Sequence, residues 1–221
     1  MESTYIPAAP QGYAYHKHLF ADLEVREKYP FIILLILANF IALIPLAIGI
    51  LLLWLPYQFY LYFDTPYALL PTVDLPLVLK IILGGIIFFV SMLLHEWLHG
   101  VALQRMGHQA HYAFHKLFLT ATIEDGDYLT RREYLWMTVT PLLLMTFAGG
   151  MLLLFLPPVI GKLLLIALLI NTAASIGDLM VAVRVYRMPQ DAVFTDDKGI
   201  QVFLPEHKKR ASSESENAHI G

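Results

Sequence analysis

Four long apolar runs decide what this chain can fold into. They cover residues 31–54, 75–103, 134–156 and 162–183, and each reaches the ~20 residues that a helix needs to cross a bilayer. Hydrophobic residues make up 57% of the chain and charged residues 15%, and the mean hydropathy is +0.60, well above the range of soluble domains. The sequence therefore predicts an all-α polytopic membrane protein with about four transmembrane helices.

The cationic side chains predict how these helices are oriented. If both termini and the loop between the second and third helices share one side, that side holds thirteen of the fifteen Lys and Arg residues, and only Lys80 and Lys162 lie at the other. The positive-inside bias makes the cationic side the cytoplasm. We expect a multi-pass protein of a bacterial-type cell membrane with both termini cytoplasmic.

The rest of the chain divides around this transmembrane domain. Residues 1–30 are expected to form a cytoplasmic arm, residues 31–185 the transmembrane domain, residues 186–205 a cytoplasmic C-terminal hairpin, and residues 206–221 a disordered tail. Between helices 2 and 3, "HYAFHKLFLTATI" has strand composition and "EDGD" is a turn signal, so we predict a short cytoplasmic strand or β-hairpin there.

Composition also excludes several functions. The net charge is only −3, and no basic cluster is interleaved with aromatic residues, so nucleic acid is not an expected partner. Because the chain contains no cysteine, a disulfide, a thiol nucleophile and a thiolate metal site are all excluded. Any metal site must use histidine and carboxylate ligands.

The second apolar run contains such residues. Its stretch "LLHEWLHG" places His95, Glu96 and His99 inside a helix that otherwise suits lipid. Histidines four residues apart lie on one helical face and can reach a single ion. Ionisable groups are costly in a membrane and by default indicate function.

A third ligand is expected from the last helix. Counted inward from Lys80 and from Lys162, the histidine pair and Asp178 both lie roughly 23 to 28 Å from the outer end. We therefore predict that His95, His99 and Asp178 bind Zn²⁺. Glu96 is then placed to act as the general base toward an attacking water. The contact is expected with Asp178, and not with the loop carboxylates Glu124, Asp125 and Asp127.

Two neighbouring features have more than one interpretation. Asn171 lies two helical turns before Asp178 and is expected either to hold substrate, to orient a ligand, or to form a plain interhelical hydrogen bond. His108, His111 and His115 are spaced for a helix, whereas the segment predicts a strand. They are interpreted as interfacial histidines, with a second metal site as the alternative.

The motifs resemble a known class of enzymes. "LLHEWLHG", "TVTPLLL", "NTAASIGDLM" and "DAVFTDDKGIQVFLP", over roughly residues 85–205, resemble the zincin peptidase family of bacterial membrane proteins, in the site-2 protease-like class of intramembrane metalloproteases. The resemblance implies HExxH on one transmembrane helix and an Asp ligand on a later one. Site-2 proteases usually carry prolines between the Asn and the Asp, and this chain has none there.

The expected function is zinc-dependent cleavage of peptide bonds in membrane proteins or peptides, in or near the cytoplasmic side of the bilayer. A non-catalytic metal-binding scaffold and a transporter are the alternatives, together with a simpler one in which His95 and His99 bond Asp178 only to hold helices together. The substrate, the oligomeric state and any regulator are not predicted.

Overall fold

A computed structural model describes residues 9–20, isolated positions between 47 and 62, and residues 76–115, 118–124, 126–196 and 199–206. Almost all of the first predicted span and of the predicted disordered tail lies outside the described residues. In chain order the elements are β1 (Tyr13–His18), α1 (Leu77–Arg105), β2 (Ala110–His115), β3 (Phe118–Ile123), β4 (Leu129–Thr130), α2 (Arg131–Leu152), α3 (Pro158–Ala174), α4 (Ile176–Tyr186), β5 (Val193–Thr195) and β6 (Gln201–Pro205).

Among the described residues, two helices, or three if a bent pair counts as one, are long and apolar enough to cross a membrane. Helices α1 and α2 are each long and apolar enough to cross a membrane. Helices α3 and α4 meet at a bend of 41° and make a third span if the pair is counted as one. The predicted second and third spans correspond to α1 and α2. The fourth, predicted over residues 162–183, corresponds to α3 and α4 with the bend between them.

The break between α3 and α4 lies at Ser175 and has a local cause. The Ser175 hydroxyl donates to the carbonyl of Asn171 at 2.9 Å, and the Thr172 hydroxyl donates to the carbonyl of Leu168 at 2.8 Å. Such hydroxyl bonds to the preceding turn of a helix tend to bend it. These side chains therefore produce, without proline, a bend just before Asp178.

The loop between α1 and α2 forms the predicted hairpin. Strands β2 and β3 pair antiparallel from Ala110–Ile123 to His115–Phe118. The reversal thus falls within the segment that was predicted as strand, and the predicted "EDGD" turn follows β3, with Gly126 at φ +89°. Helix α2 then begins with a capping box between Thr130 and Glu133, as that sequence pattern indicates.

A second sheet corrects the all-α prediction, although the described chain is mostly helical. Its four strands run in the order β1–β6–β5–β4, and all three pairings are antiparallel. The β5–β6 pair is the predicted C-terminal hairpin. The N-terminal arm was not expected to join it, but β1 pairs with β6 and covers its outer edge.

This sheet packs against one end of the helix bundle. Its core brings together side chains from the C-terminal end of α1, the N-terminal turns of α2, the end of α4, and the strands: Leu103, Leu129, Tyr134, Val185, Phe194, Val202 and Leu204. A second core lies deeper among the helices and consists of Leu53, Leu98, Met145, Leu153, Leu165 and Leu168. The histidines of α1 lie between the two cores.

Candidate metal centre

Helices α1 and α4 bring the three predicted ligands together. His95 and His99 are 3% and 7% exposed, and their rings meet edge to face at a centroid distance of 5.0 Å. The Nε2 atom of His95 lies 2.9 Å from Oδ2 of Asp178, and Nε2 of His99 lies 3.4 Å from Oδ1. The expected contact with Asp178 is therefore present in the structure.

Both imidazoles are held from behind through Nδ1. The Nδ1–H of His95 donates to Oδ1 of the fully buried Asn171 at 2.8 Å. The Nδ1–H of His99 donates to the backbone carbonyl of Met137, on α2, at 2.9 Å. A carbonyl oxygen can only accept, so each hydrogen bond places a ring proton on Nδ1, and the neutral imidazole then has its lone pair on Nε2.

The Nε2 lone pairs and the Asp178 carboxylate therefore point at one another. Oδ2 of Asp178 is buried and has no hydrogen-bond donor among the described residues, although Nε2 of His95 is close. Groups that carry only lone pairs repel at such distances unless a cation lies between them. If the histidines only bonded Asp178 to hold the helices together, an Nε2–H would be directed at Oδ2.

This donor set fits a zinc ion. His95, Glu96 and His99 each contribute one possible ligand atom, and these three atoms lie within 4.8 Å of one another. Asp178 adds carboxylate oxygens beside both histidines. Two imidazole nitrogens and one carboxylate oxygen are a donor set that catalytic zinc sites use, with one position left for water. Glu96 is an additional carboxylate beside that set.

Comparison with known families agrees with this geometry. Residues 88–193 match the family model described as "Putative zincin peptidase". The match covers slightly less than half of the 221 residues, and over this segment the chain is similar to that family. The matched region contains α1, the β2–β3 hairpin and α2 to α4, and so all the residues that meet at the centre. Searches of curated proteins and of solved structures give no match. The zincin family is one of zinc metallopeptidases.

The β2–β3 hairpin approaches Glu96 directly. The Glu96 carboxylate lies within hydrogen-bond reach of the backbone N–H of Ala121, on β3. Opposite Ala121 on β2 is Tyr112, whose hydroxyl donates to the carbonyl of Trp97 at 3.2 Å. Burial raises the pKa of the Tyr112 phenol, which keeps that hydroxyl protonated and able to donate.

The close approach of Tyr112 requires a glycine in α1. A Cβ atom at Gly100 would overlap the hydroxyl and ring of Tyr112. Gly100 directly follows His99, so the residue that ends "HEWLHG" is the one on which the hairpin rests. Sequence reasoning missed both Tyr112 and Ala121, because contact between a loop and a helix is not readable from either segment alone.

His108 and His111 do not form a second metal site among the described residues, and the side chain of His115 lies outside that description. Nδ1 of His108 lies 2.6 Å from Oδ2 of Asp127 and Nε2 lies 3.8 Å from Oε1 of Glu133. His111 is exposed on β2. His108 thus links the loop to the first turn of α2, and Asp127 is engaged there rather than at the metal centre.

We predict that Gly100→Ala will displace the hairpin. The added methyl group overlaps Tyr112, so amide hydrogen exchange in β3 should become roughly tenfold faster, which corresponds to about 1.4 kcal/mol of local stability. Tyr112→Ala in the same chain removes the overlap, so the double variant should exchange no faster than Tyr112→Ala alone. Unchanged exchange in Gly100→Ala would mean that the ring swings aside and the hairpin does not depend on this contact.

We also predict that Asn171→Ala will weaken zinc binding by about ten- to a hundredfold, because partners that orient a ligand histidine typically contribute that much. Asn171→Asp keeps an oxygen acceptor for Nδ1–H of His95 and should lose less. Thr172→Val is the matched control, since Thr172 is equally buried and bonds only within its helix. Competition with a chelator measures all three variants, and equal affinity of Asn171→Ala and wild type would refute an orienting role.

Proposed function

We propose that this protein is a zinc-dependent intramembrane peptidase that cleaves peptide bonds of membrane proteins in or near the cytoplasmic side of the bilayer. In this proposal His95, His99 and Asp178 hold the zinc ion, Glu96 is the catalytic residue, and Asn171 orients His95. Both termini are cytoplasmic, and the partners are the bilayer and a membrane-protein or peptide substrate.

One observation carries the proposal: two buried imidazoles, each hydrogen-bonded through Nδ1 to a carbonyl oxygen, direct Nε2 at the partly buried carboxylate of Asp178, whose buried Oδ2 has no hydrogen-bond donor among the described residues. Such a cluster is expensive in an apolar bundle unless a cation is bound. The neighbouring surface of α1 is apolar and exposed, with Ile81 65% and Val90 56% exposed, which suits contact with lipid.

The chemistry follows from the positions of the chain's own residues. Zinc held by the three ligands would polarise the scissile carbonyl and lower the pKa of a water molecule. Glu96 removes a proton from the attacking water, whose oxygen bonds to the carbonyl carbon. As the carbon–nitrogen bond breaks, Glu96 passes that proton to the departing amine. The Asn171 amide and the Met137 carbonyl keep both imidazoles in place meanwhile.

The β2–β3 hairpin offers a means of holding the substrate. A transmembrane helix must unwind before its peptide bonds can be attacked, and an unwound segment can add to the edge of a sheet. Because the Ala121 N–H lies beside Glu96, a strand aligned along β3 would pass its backbone by the catalytic carboxylate. This places the bond to be cleaved near the centre.

A non-catalytic metal scaffold is the competing function. It would use the same three ligands but would have no use for Glu96, whose side chain is only partly buried and contacts the hairpin rather than Asp178. A transporter would need a polar path along the helices. The pocket between α1, α2 and α3 is instead lined entirely by apolar residues and Gly149.

We expect the purified protein to contain about one zinc ion per chain, as for a site with three protein ligands. Asp178→Ala removes the carboxylate that lies against Nε2 of both histidines and should abolish stoichiometric zinc. Asp127→Ala is the matched control, because Asp127 contacts His108 instead and should leave the zinc content unchanged. Elemental analysis measures the zinc content of each protein. If Asp178→Ala retains zinc, or if wild type contains none, the assigned site is wrong.

The enzymatic claim is tested by Glu96→Gln. Loss of the general base should slow cleavage by about 10²- to 10⁴-fold while zinc stays bound. Membrane proteins from cells that carry wild type or Glu96→Gln are compared by mass spectrometry, with Glu124→Gln, an exposed loop glutamate, as the control. Uncleaved substrate should accumulate only with Glu96→Gln. Identical proteomes together with normal zinc content would favour the scaffold.

A further inference from the structure

A proline lies in the middle of α2, at the level of the candidate metal centre. Helix α2 runs from Arg131 to Leu152 with Pro141 inside it. In an α-helix the N–H of each residue bonds the carbonyl four residues earlier, so position 141 should bond Met137. Proline has no N–H, and its ring also pushes that carbonyl aside. Pro141 therefore frees the carbonyl of Met137 from its usual partner.

The freed carbonyl is the one that holds His99. The Met137 oxygen accepts the Nδ1–H of His99 at 2.9 Å, and Pro141, Met137 and His99 are all buried. A buried carbonyl without a partner costs about 1–3 kcal/mol. Pro141 thus leaves a buried carbonyl without a donor, and His99 provides the N–H that bonds to this carbonyl.

Neighbouring carbonyls of the same turn are already engaged within α2. The Thr140 hydroxyl donates to the carbonyl of Trp136 at 2.6 Å, and the Thr138 hydroxyl donates to the carbonyls of Tyr134 and Leu135. Among these carbonyls, it is the Met137 oxygen that bonds another helix. The segment "TVTP" therefore directs one backbone acceptor at α1.

We infer that Pro141 is a positioning residue for the metal centre: by removing a backbone N–H it reserves the Met137 carbonyl for Nδ1 of His99, which turns the Nε2 lone pair toward Asp178. The inference rests on the proposed zinc site but concerns a separate property, the tautomer of His99. A proline that only bent the helix would act through its ring, whereas this role requires only that position 141 lacks an N–H.

The experiment separates the missing N–H from the ring. Pro141→Ala restores an N–H that competes with His99 for the Met137 carbonyl. Replacing Pro141 by lactic acid, through incorporation of an α-hydroxy acid, gives the same methyl side chain with an ester oxygen in place of the N–H. Pro157→Ala is the control, because Pro157 precedes the first turn of α3 and frees no such carbonyl.

Two readouts are used on the full-length protein in detergent. Zinc affinity is measured by chelator competition, and the ¹⁵N chemical shifts of the His99 ring report which nitrogen carries the proton, with His99→Gln used for assignment. Pro141→Ala should bind zinc roughly tenfold more weakly and show a mixture of His99 tautomers. The ester variant and Pro157→Ala should match wild type in both measurements.

Each outcome bears on a defined claim. If the ester variant behaves like Pro141→Ala, the ring and not the missing N–H matters, and the inference is wrong. It is also wrong if Pro141→Ala keeps the wild-type tautomer, and this holds even if that variant unfolds on heating more readily. If wild type binds no zinc, the proposed function fails, but the tautomer comparison in zinc-free protein still decides the role of Pro141.

Discussion

The candidate metal centre depends on which ring nitrogen of His95 and of His99 carries the proton. His95 and His99 can present Nε2 to a cation only if both Nδ1 atoms are protonated, and inside an apolar bundle each such N–H needs an acceptor. The acceptors are the Asn171 amide oxygen and the Met137 carbonyl. Neither is a ligand itself, yet each determines which nitrogen is free. Both come from helices other than α1, so the packing of α1 against α2 and α3 sets the chemistry of its histidines.

Irregularities in the helices supply these groups. Pro141 leaves a carbonyl of α2 without its helical donor, and the break at Ser175 separates Asn171 at the end of α3 from Asp178 in the first turn of α4. Asn171 therefore supports a ligand on α1 from one helix while Asp178 approaches it from the next. In a straight helix, a separation of seven positions would span about 10.5 Å along a single axis. The 41° bend changes the direction of α4, so both side chains reach His95 although no proline lies between Asn171 and Asp178.

Much of this could be predicted from the sequence because the signals are local and strong. The apolar runs predicted the bounds of α1 and α2 to within a few residues, and the sequence pattern at Thr130 and Glu133 predicted the capping box. Counting residues inward along the second and fourth predicted helices placed the histidine pair and Asp178 at the same depth in the membrane. The depth comparison used Lys162 as an outer mark, but Lys162 is only 4% exposed. The pairing still holds because α3 begins four residues earlier than the assumed mark and both helices cover similar lengths. The break at Ser175, the strand β1 and the contact of Tyr112 with Gly100 could not be predicted, because each depends on side chains that meet only in the folded chain.

The placement of Glu96 bears on whether the proposed zinc site would catalyse a reaction or only bind metal. A residue kept only for structure in a membrane bundle is expected to be saturated with partners, as Asp127 and Glu133 are around His108. Glu96 is instead partly buried, one residue from a ligand, and faces the backbone of β3. A carboxylate in that position is costly in lipid and contributes little to holding α1. Its position makes sense if the space between the histidines and the hairpin receives a peptide backbone and a water molecule, because a base is then needed on that side of the zinc.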